Sequence, residues 1–153
     1  MSSTTDLASP SNPMPLIGQI NRAFARATEQ PLKQLGFAMS QVPVLVTLKR
    51  NGLSSQADLA RAAQVEQPSM AQLLNRMERD GLMQRVPNPQ DGRSQLISLT
   101  PLASARMPKG KAVMDAMCGK ALAGFSDQEQ EQLHAFLQRV LDNLQAVNQE
   151  QAG

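Results

Sequence analysis

Residues 54–64 read SSQADLARAAQ, residues 65–82 read VEQPSMAQLLNRMERDGL and residues 83–99 read MQRVPNPQDGRSQLISL. In the first segment Ser55 precedes Asp58 by three positions, the spacing of a capping box that gives two backbone donors side-chain partners at a helix start. The second segment has apolar residues spaced as one face of a helix: Met70, Leu73, Leu74 and Met77. Gly81 then occupies the position favoured for a left-handed helix end. Two helices joined by a short turn predict a helix-turn-helix, in which the second helix can enter a DNA major groove.

The face opposite that apolar stripe carries side chains that can bond to base edges. At about 100° per residue, this polar face contains Pro68, Gln72, Asn75 and Arg79, flanked by Ser69 and Arg76. Gln and Asn can pair bidentately with adenine, Arg with guanine, and Ser can bond a base edge or a phosphate. An ordinary solvated helix has a similar face, so this helix alone leaves both interpretations open.

A hairpin is predicted directly after the second helix. Residues 83–86 and 95–99 are short strand candidates, and the residues between them, 87–92, are mostly turn formers. Arg93 lies beside the tip, and Thr100-Pro101 supplies the cap and first-turn proline of a following helix. We therefore predict a mainly α chain with a small β-hairpin wing, an α+β winged helix-turn-helix flanked by long helices.

The order of these residues resembles the MarR family of winged-helix transcription regulators, which includes the SlyA-like proteins. The resemblance rests on Gln67-Pro68-Ser69, Leu74-x-Arg76-Met77-Glu78-x-x-Gly81-Leu82, Asp91-x-Arg93-Ser94 and Leu99-Thr100-Pro101, and extends over about residues 15–147. It implies a homodimeric DNA-binding regulator, most often a repressor, that binds a pseudo-palindromic operator in double-stranded DNA and is released by a small-molecule effector. Two alternatives stay open: a thiol-redox-responsive regulator, and a winged-helix protein-interaction module that does not bind DNA.

The resemblance also assigns roles to individual residues. The predicted DNA-binding residues are Ser55, Gln56, Gln67, Pro68, Ser69, Gln72, Asn75, Arg76, Asp91, Arg93 and Ser94. Ser69, Gln72 and Arg76 are assigned to the major groove. Arg93 is assigned to the adjacent minor groove, where Asp91 would hold the wing or orient the arginine. Ser55, Gln56 and Ser94 are candidates for phosphate contacts. Many family members have a second arginine at the Gly92 position, so a second minor-groove contact is not expected here.

The resemblance implies that the remaining segments are tails and long dimerisation helices, which flank the winged helix-turn-helix. We predict a flexible tail over residues 1–15, an N-terminal dimerisation helix over 16–36, the winged lobe over 37–100, C-terminal dimerisation helices over 101–147 and a tail over 148–153. The first helix is expected to end near Pro31 or to continue through Leu35, and Ser40 to cap the next one. Pro108 should kink or break the fifth helix, or mark where it restarts.

The last helix should begin at Ser126-Asp127-Gln128-Glu129, a second capping box. Its apolar stripe is longer than the small lobe could cover, which favours packing on a partner subunit over packing within the chain. The predicted dimer interface comprises Leu16, Ile17, Ile20, Leu133, Phe136, Leu137, Val140, Leu141 and Leu144.

Regulation is predicted from the resemblance alone. In the family, a cleft between the dimer helices and the DNA-binding lobes receives small aromatic or anionic effectors. The candidate lining residues are Ile20, Asn21, Phe24, Phe37, Val44 and Met114, although apolar residues at helical spacing are core residues far more often than ligand contacts. The family's sensing cysteine lies in the first helix. Cys118 lies late in the fifth helix, where a buried and inert thiol is expected, so thiol sensing is disfavoured.

Composition excludes other classes of function. One His, one Cys and no phosphate-binding glycine loop predict no catalytic residues, no metal site, no cofactor and no enzyme activity. The single cysteine fits a reducing compartment, and no leader or ~20-residue apolar run is seen, so a soluble cytoplasmic protein with no membrane contact is expected. Residues 49–111 carry ten basic and five acidic side chains, whereas residues 112–153 carry two and six. A cationic central segment is expected of a lobe that meets phosphate, and an ordinary solvated surface stays open as the alternative.

Overall fold

The computed structural model describes residues 6–153, so residues 1–5 of the predicted tail lie outside the described residues. The elements follow in the order α1 (Met14–Gln34), a short 3₁₀ helix (Met39–Gln41), α2 (Val42–Asn51), α3 (Gln56–Ala63), α4 (Gln67–Arg79), β1 (Met83–Asn88), β2 (Asp91–Leu99), α5 (Pro101–Ala121) and α6 (Asp127–Ala152). The predicted mainly helical fold with one β-hairpin is confirmed.

The chain divides into two compact units near residue 117. The first unit contains α1 to α4, the hairpin and most of α5. The second contains the end of α5 and the whole of α6. The buried core belongs to the first unit, and α6 contains no buried residue.

The core of the first unit lies between α2, α3, α4 and the hairpin. From α4, the side chains of Met70, Leu74 and Met77 are fully buried, and Leu73 of the predicted stripe packs at the edge of this core. The other elements contribute Leu45, Leu48, Leu59, Leu82, Met83 and Ile97. Full burial of one such side chain contributes about 1.5–3 kcal/mol to folding. The predicted apolar face of α4 is therefore the face that holds this helix on the lobe.

The end of α4 is fixed by a glycine and by hydrogen bonds. Gly81 has φ of 75°, its N–H donates to the Glu78 carbonyl over 3.0 Å, and the N–H of Leu82 donates to the Met77 carbonyl over 2.9 Å. These two bonds form a Schellman motif. The hydroxyl of Thr100 donates to the Gly81 carbonyl and accepts from the N–H of Ala103 over 3.1 Å. The start of α5 is thus attached to the end of α4.

The hairpin is longer than predicted. Its strands pair antiparallel from Met83 opposite Leu99 to Pro87 opposite Gln95, and the next pair joins Asn88 to Asp91. The register shift leaves residues 92–94 as a bulge on β2, so Arg93 lies on a bulge and not on a regular strand. The backbone of Ser54 also pairs with Ile97, which attaches the hairpin to the residues before α3.

Two predicted helix boundaries change, the start of α1 and the cap of α2, and the end of α1 is settled. α1 begins at Met14 and continues through Pro31 to Gln34, so the longer of the two predicted ends is correct. Ser40 does not cap α2, because it lies inside the 3₁₀ helix. The N-cap of α2 is the buried Gln41, which makes no side-chain cap to α2; its Oε1 accepts instead from the N–H of Ala38, at the start of the 3₁₀ helix, over 2.8 Å.

The C-terminal helices are more regular than predicted. α5 runs without interruption through Pro108, so the predicted local break is wrong. Ser126 caps α6 as predicted: it accepts from the N–H of Glu129, and the Glu129 carboxylate accepts from the N–H of Ser126. These bonds hold the pKa of Glu129 below its usual value. α6 extends to Ala152, so residues 148–152, predicted as a tail, are helical.

We expect Gly81→Ala to lower the free energy of unfolding by about 1–2 kcal/mol, because an L side chain disfavours a positive φ. A Cβ at Gly81 would lie 3.6 Å from Leu102, an ordinary contact, so the loss would come from the backbone. Urea denaturation measures it. Gly92→Ala is the control, since Gly92 has no positive φ and an added Cβ meets nothing within 4 Å. Equal losses in the two variants would contradict this explanation.

Candidate nucleic-acid interface

The polar face of α4 is open to solvent. Its predicted members Pro68, Ser69, Gln72, Asn75, Arg76 and Arg79 are all exposed, whereas Met70, Leu74 and Met77 of the opposite stripe are fully buried. The side chains that can bond base edges therefore project from the lobe along one side of a 13-residue helix. At 1.5 Å per residue this helix is about 20 Å long, enough to present several side chains to a major groove.

The start of α4 carries backbone donors suited to an anion. Among the described residues no side chain caps this end, where Glu66 is the N-cap and Pro68 is in the first turn. First-turn N–H groups have no partner within a helix, and the helix dipole favours negative charge there. Gln67 is linked to the preceding helix, since its Oε1 accepts from Nε2 of Gln56 over 3.2 Å. The N–H groups at this end of α4 can donate to a phosphate oxygen.

The start of α3 has the predicted cap. The hydroxyl of Ser55 accepts from the N–H of Asp58 over 3.1 Å, and the Asp58 carboxylate forms an ion pair with Arg61. The hydrogen bond from Ser55 and the one from Arg61 hold the pKa of Asp58 below its usual value. Asp58 is therefore ionised at neutral pH, and its charge balances that of Arg61.

The wing tip is held by its own polar side chains. The Asp91 carboxylate accepts from the N–H of Arg93 over 3.1 Å, and the Ser94 hydroxyl donates to the Asp91 carbonyl over 3.2 Å. The hydroxyl of Ser94 also accepts from the amide of Asn88, whose Oδ1 accepts from the N–H of Gln90 over 3.0 Å. Asp91 thus fixes the backbone that carries the exposed Arg93 side chain. The Ser94 hydroxyl is used inside the wing.

Asn75 has a partner that the sequence did not predict. Its Oδ1 accepts from Nη2 of Arg85 over 2.9 Å, and Nε of the same arginine lies 3.5 Å from a carboxylate oxygen of Glu78. Arg85 belongs to β1, so one guanidinium joins the wing to α4. The family motif quoted for this region does not include Arg85. The signal available in the sequence was the spacing of Asn75 and Glu78, an amide and a carboxylate three positions apart on one helix face, with an arginine on the strand that follows.

A cavity of about 300 Å³ lies in the first unit, among the end of α1, α2 and α5. Its walls are mainly apolar and it is lined by Leu32, Phe37, Val42, Leu45, Val46, Met107, Gly110, Lys111, Met114 and Asp115. Lys111 forms an ion pair with Asp115. Gly110 allows close packing, since a Cβ there would lie 3.2 Å from the Phe37 ring.

Only two of the six predicted effector residues line this cavity. Phe37 and Met114 do, whereas Ile20, Asn21, Phe24 and Val44 do not. Ile20 and Asn21 point to solvent, and Val44 is packed in the core. The wall residue from α1 is Leu32, near its C-terminal end. Met107, Gly110 and Met114 follow one another at helical spacing on α5, which is the signal that could have located this wall.

The predicted dimer residues are apolar and largely uncovered. On α6, Leu133, Phe136, Leu137, Leu141 and Leu144 are 37–51 % exposed, and Val140 is half-buried. On α1, Leu16 and Ile20 are more than half exposed, and Ile17 is half-buried. The expectation for Cys118 is wrong, because the thiol is exposed.

Residues 6–153 contain no group of three or more His, Cys, Asp or Glu side chains that could hold a metal ion. None of the helices in that range is both long and apolar enough to span a membrane.

Comparisons with known proteins agree with the geometry of the lobe. Residues 37–95 match the model of the MarR family. The solved structure of a "probable transcriptional regulator" from Pseudomonas aeruginosa is 31 % identical, with a TM-score of 0.74 over 82 % of this chain and 93 % of that chain. The chain belongs to the MarR family. It is a MarR family transcriptional regulator, and no enzyme family is indicated.

Two further relatives carry informative names. The MepR–DNA complex of Staphylococcus aureus is 27 % identical, with a TM-score of 0.76 over 89 % of this chain and 96 % of that chain. The HTH-type transcriptional repressor IacR of Pseudomonas putida is 22 % identical over 86 % of this chain and 78 % of its own length. MarR family membership thus agrees with the winged helix-turn-helix lobe built from α2 to β2.

Proposed function

We propose that this MarR family regulator is a homodimeric repressor that binds a pseudo-palindromic operator and is released by a small-molecule effector. The observation that carries the DNA-binding part is the exposed polar face of α4 beside a wing whose tip carries Arg93. A relative named as a repressor and another solved with DNA support the same function.

In the proposed complex, α4 lies in the major groove and the wing reaches the adjacent minor groove. Ser69, Gln72 and Arg76 face base edges, because they are exposed on the side opposite the core. The uncapped start of α4 and the Ser55 and Gln56 side chains meet phosphates. Arg93 enters the minor groove, where a narrow A·T segment concentrates negative potential.

The proposal is tested by selecting bound sequences from a random duplex pool and then titrating salt. We expect an inverted repeat whose half-sites are about 34 Å apart, or one helical turn. The affinity for that duplex should fall steeply as salt concentration rises. The reason is that arginine and lysine side chains that bind phosphates release the counterions condensed on the DNA. If no inverted repeat is recovered and the affinity for duplex DNA does not depend on salt, the protein-interaction alternative is favoured.

Arg93→Ala is expected to weaken binding to the selected duplex by about 1–3 kcal/mol, the contribution of one good base contact. Fluorescence anisotropy measures the affinity. Arg139→Ala is the matched control, since it removes the same charge from α6 and leaves the wing intact. The assigned role of Arg93 is contradicted by an unchanged affinity in Arg93→Ala, or by equal losses in the two variants.

The dimer is proposed from the uncovered apolar stripe of α6. Residues from Leu133 to Val147 recur on one side of the helix over about 21 Å, and most are between 37 % and 51 % exposed. Covering an apolar face of this length with a second copy removes apolar surface from water and so lowers the free energy of the dimer relative to two monomers. The exposed apolar residues at the start of α1 extend the same proposal. A two-fold axis then presents two copies of α4 to one side of the duplex.

Leu137→Glu is expected to convert the dimer to a monomer, because burying an unpaired carboxylate in an apolar seam is strongly unfavourable. Light scattering should report half the wild-type mass. Ala135→Glu is the control: Ala135 is exposed and lies two positions away, about 200° around the helix, so this variant should remain a dimer. A dimeric Leu137→Glu protein would place the interface elsewhere.

The effector is proposed to bind in the cavity among α1, α2 and α5. A volume of about 300 Å³ is at the lower end of known ligand pockets, which suits a small aromatic molecule with one polar group. Lys111, in its ion pair with Asp115, supplies the polar group beside the mainly apolar walls. The same helix, α5, begins at the Thr100 hydroxyl that bonds to the end of α4, so a ligand that shifts α5 acts on the DNA-reading helix.

Benzoate is the probe for this part of the proposal. It should bind by calorimetry and weaken the duplex complex in the wild type, whereas Val46→Trp should abolish both effects by filling the cavity mouth. Val46 lines the cavity and is 43 % exposed. Leu53→Trp, at an exposed site outside the cavity, should respond as the wild type does. Benzoate binding that survives Val46→Trp, or that leaves the duplex affinity unchanged, would contradict the assignment.

A further inference from the structure

Arg85 joins the wing to α4 through two contacts from one guanidinium. Nη2 donates to Oδ1 of Asn75 over 2.9 Å, and Nε lies 3.5 Å from a carboxylate oxygen of Glu78. Asn75 and Glu78 are three residues apart on α4 and so lie on neighbouring turns of one face. We call the group formed by Asn75, Glu78 and Arg85 the Arg85 clasp.

The clasp lies where the hairpin leaves the core of the lobe. Arg85 is opposite Ile97, and directly paired residues lie on the same face of a sheet. Ile97 is 1 % exposed, so this face is turned toward the core, and the Arg85 side chain is 23 % exposed. The next pair on the same face, Pro87 with Gln95, is exposed on both strands. The described residues farther out than the clasp, 86–96, include none that is buried.

The hairpin is attached to the lobe on its other strand at the same level. The N–H of Ser54 donates to the Ile97 carbonyl over 3.1 Å, and the N–H of Ile97 donates to the Ser54 carbonyl over 2.8 Å. Farther out, the side-chain hydrogen bonds found among the described residues of the wing join residues 88–94 to one another. β2 is thus fixed by backbone bonds at Ile97, and β1 is fixed by the clasp at Arg85.

A small tilt of the hairpin at the clasp would displace the wing tip by several ångströms. At about 3.3 Å per residue, the pair of Asn88 and Asp91 lies about 10 Å farther out than the pair of Arg85 and Ile97. A two-stranded ribbon twists strongly and is marginally stable by itself. A tilt of about 20° would move the tip by about 3.5 Å, which is more than one hydrogen bond can tolerate.

We infer that the Arg85 clasp fixes the tilt of the wing relative to α4, so that Arg93 reaches the minor groove while α4 occupies the major groove. Arg85 is then a positioning residue: its charge is balanced by Glu78, and it acts on DNA through Arg93. The inference rests on the proposed function, because it requires α4 and the wing to lie in adjacent grooves. It adds the residue on which the contact made by Arg93 depends.

The experiment is a double-mutant cycle with the full chain on the duplex selected by the wild type, measured by fluorescence anisotropy. Arg85→Met keeps the aliphatic stem beside Ile97 and removes the donors. In the wild type, Arg93→Ala should weaken binding about 5- to 150-fold, the equivalent of 1–3 kcal/mol. In the Arg85→Met protein, the factor for the same change should be at least about three times smaller. Arg85→Met also leaves Glu78 unpaired near phosphates, but this effect is present with and without Arg93 and cancels in the cycle.

Ser69→Ala is the control change. Ser69 is assigned to the major groove and lies six residues before Asn75, about 9 Å along α4. Because sites this far apart are usually additive, Ser69→Ala should weaken binding by the same factor in the wild type and in Arg85→Met. Replacing Asn75 and Glu78 together by Ala opens the clasp from α4, where both residues are exposed. This double variant should lower the factor for Arg93→Ala as Arg85→Met does.

Equal factors for Arg93→Ala in the wild type and in Arg85→Met would overturn the inference and leave the proposed function standing. A factor for Ser69→Ala that falls as much as the one for Arg93→Ala would also overturn it, because the whole interface would then have moved. If Arg93→Ala has no effect in the wild type, both the inference and the proposed role of the wing are overturned. Circular dichroism checks that Arg85→Met is folded, and if it is not, the double variant of α4 decides alone.

Discussion

The burial of one face of α4 is the constraint on which the rest of the lobe depends. Met70, Leu74 and Met77 are fully buried, and each contributes about 1.5–3 kcal/mol that would be lost on exposure. Rotating the helix by one residue, about 100°, would exchange this stripe for polar side chains that have no partners in the core. The orientation of the base-reading face is therefore set by apolar packing on its opposite side. The Schellman motif at Gly81 and its bond from Thr100 then fix where the helix ends.

Periodicity and caps predicted the elements whose determinants are local. The stripe of α4, the left-handed Gly81 and the Ser126 capping box of α6 are all found as predicted. Elements that depend on tertiary contacts were less predictable. α5 continues through Pro108, with Ala103 and Gly110 buried on either side of it, because packing of a helix can outweigh the cost of one proline. The hairpin includes Pro87, which is tolerated since a two-stranded sheet has only edge strands.

The candidate site was predictable in its exposed part and not in its packed part. Once the apolar face of α4 is known, helical geometry predicts that the opposite, polar face is exposed. The structure has this face exposed. Which helices enclose a cavity is not a local property, since apolar residues at helical spacing look alike whether they face a core, a cavity or a partner. Ile20 and Phe24 share such a stripe with Leu32, yet only Leu32 lines the cavity. The same limit applies to side-chain bonds between distant residues, such as Arg85 with Asn75.

The net charge of residues 49–111 overstates the positive charge available to DNA, because several of its cations form ion pairs. Counting side chains gives residues 49–111 a net charge of +5, but Arg61, Arg85 and Lys111 each have an acidic partner among the described residues. Arg76 and Arg79 on α4 and Arg93 on the wing are exposed and lie on the surface proposed to meet DNA. Cations that keep an acidic partner contribute less to counterion release than those that face phosphate. The attraction for a polyanion is therefore better attributed to a few positioned arginines than to the basic composition of the lobe.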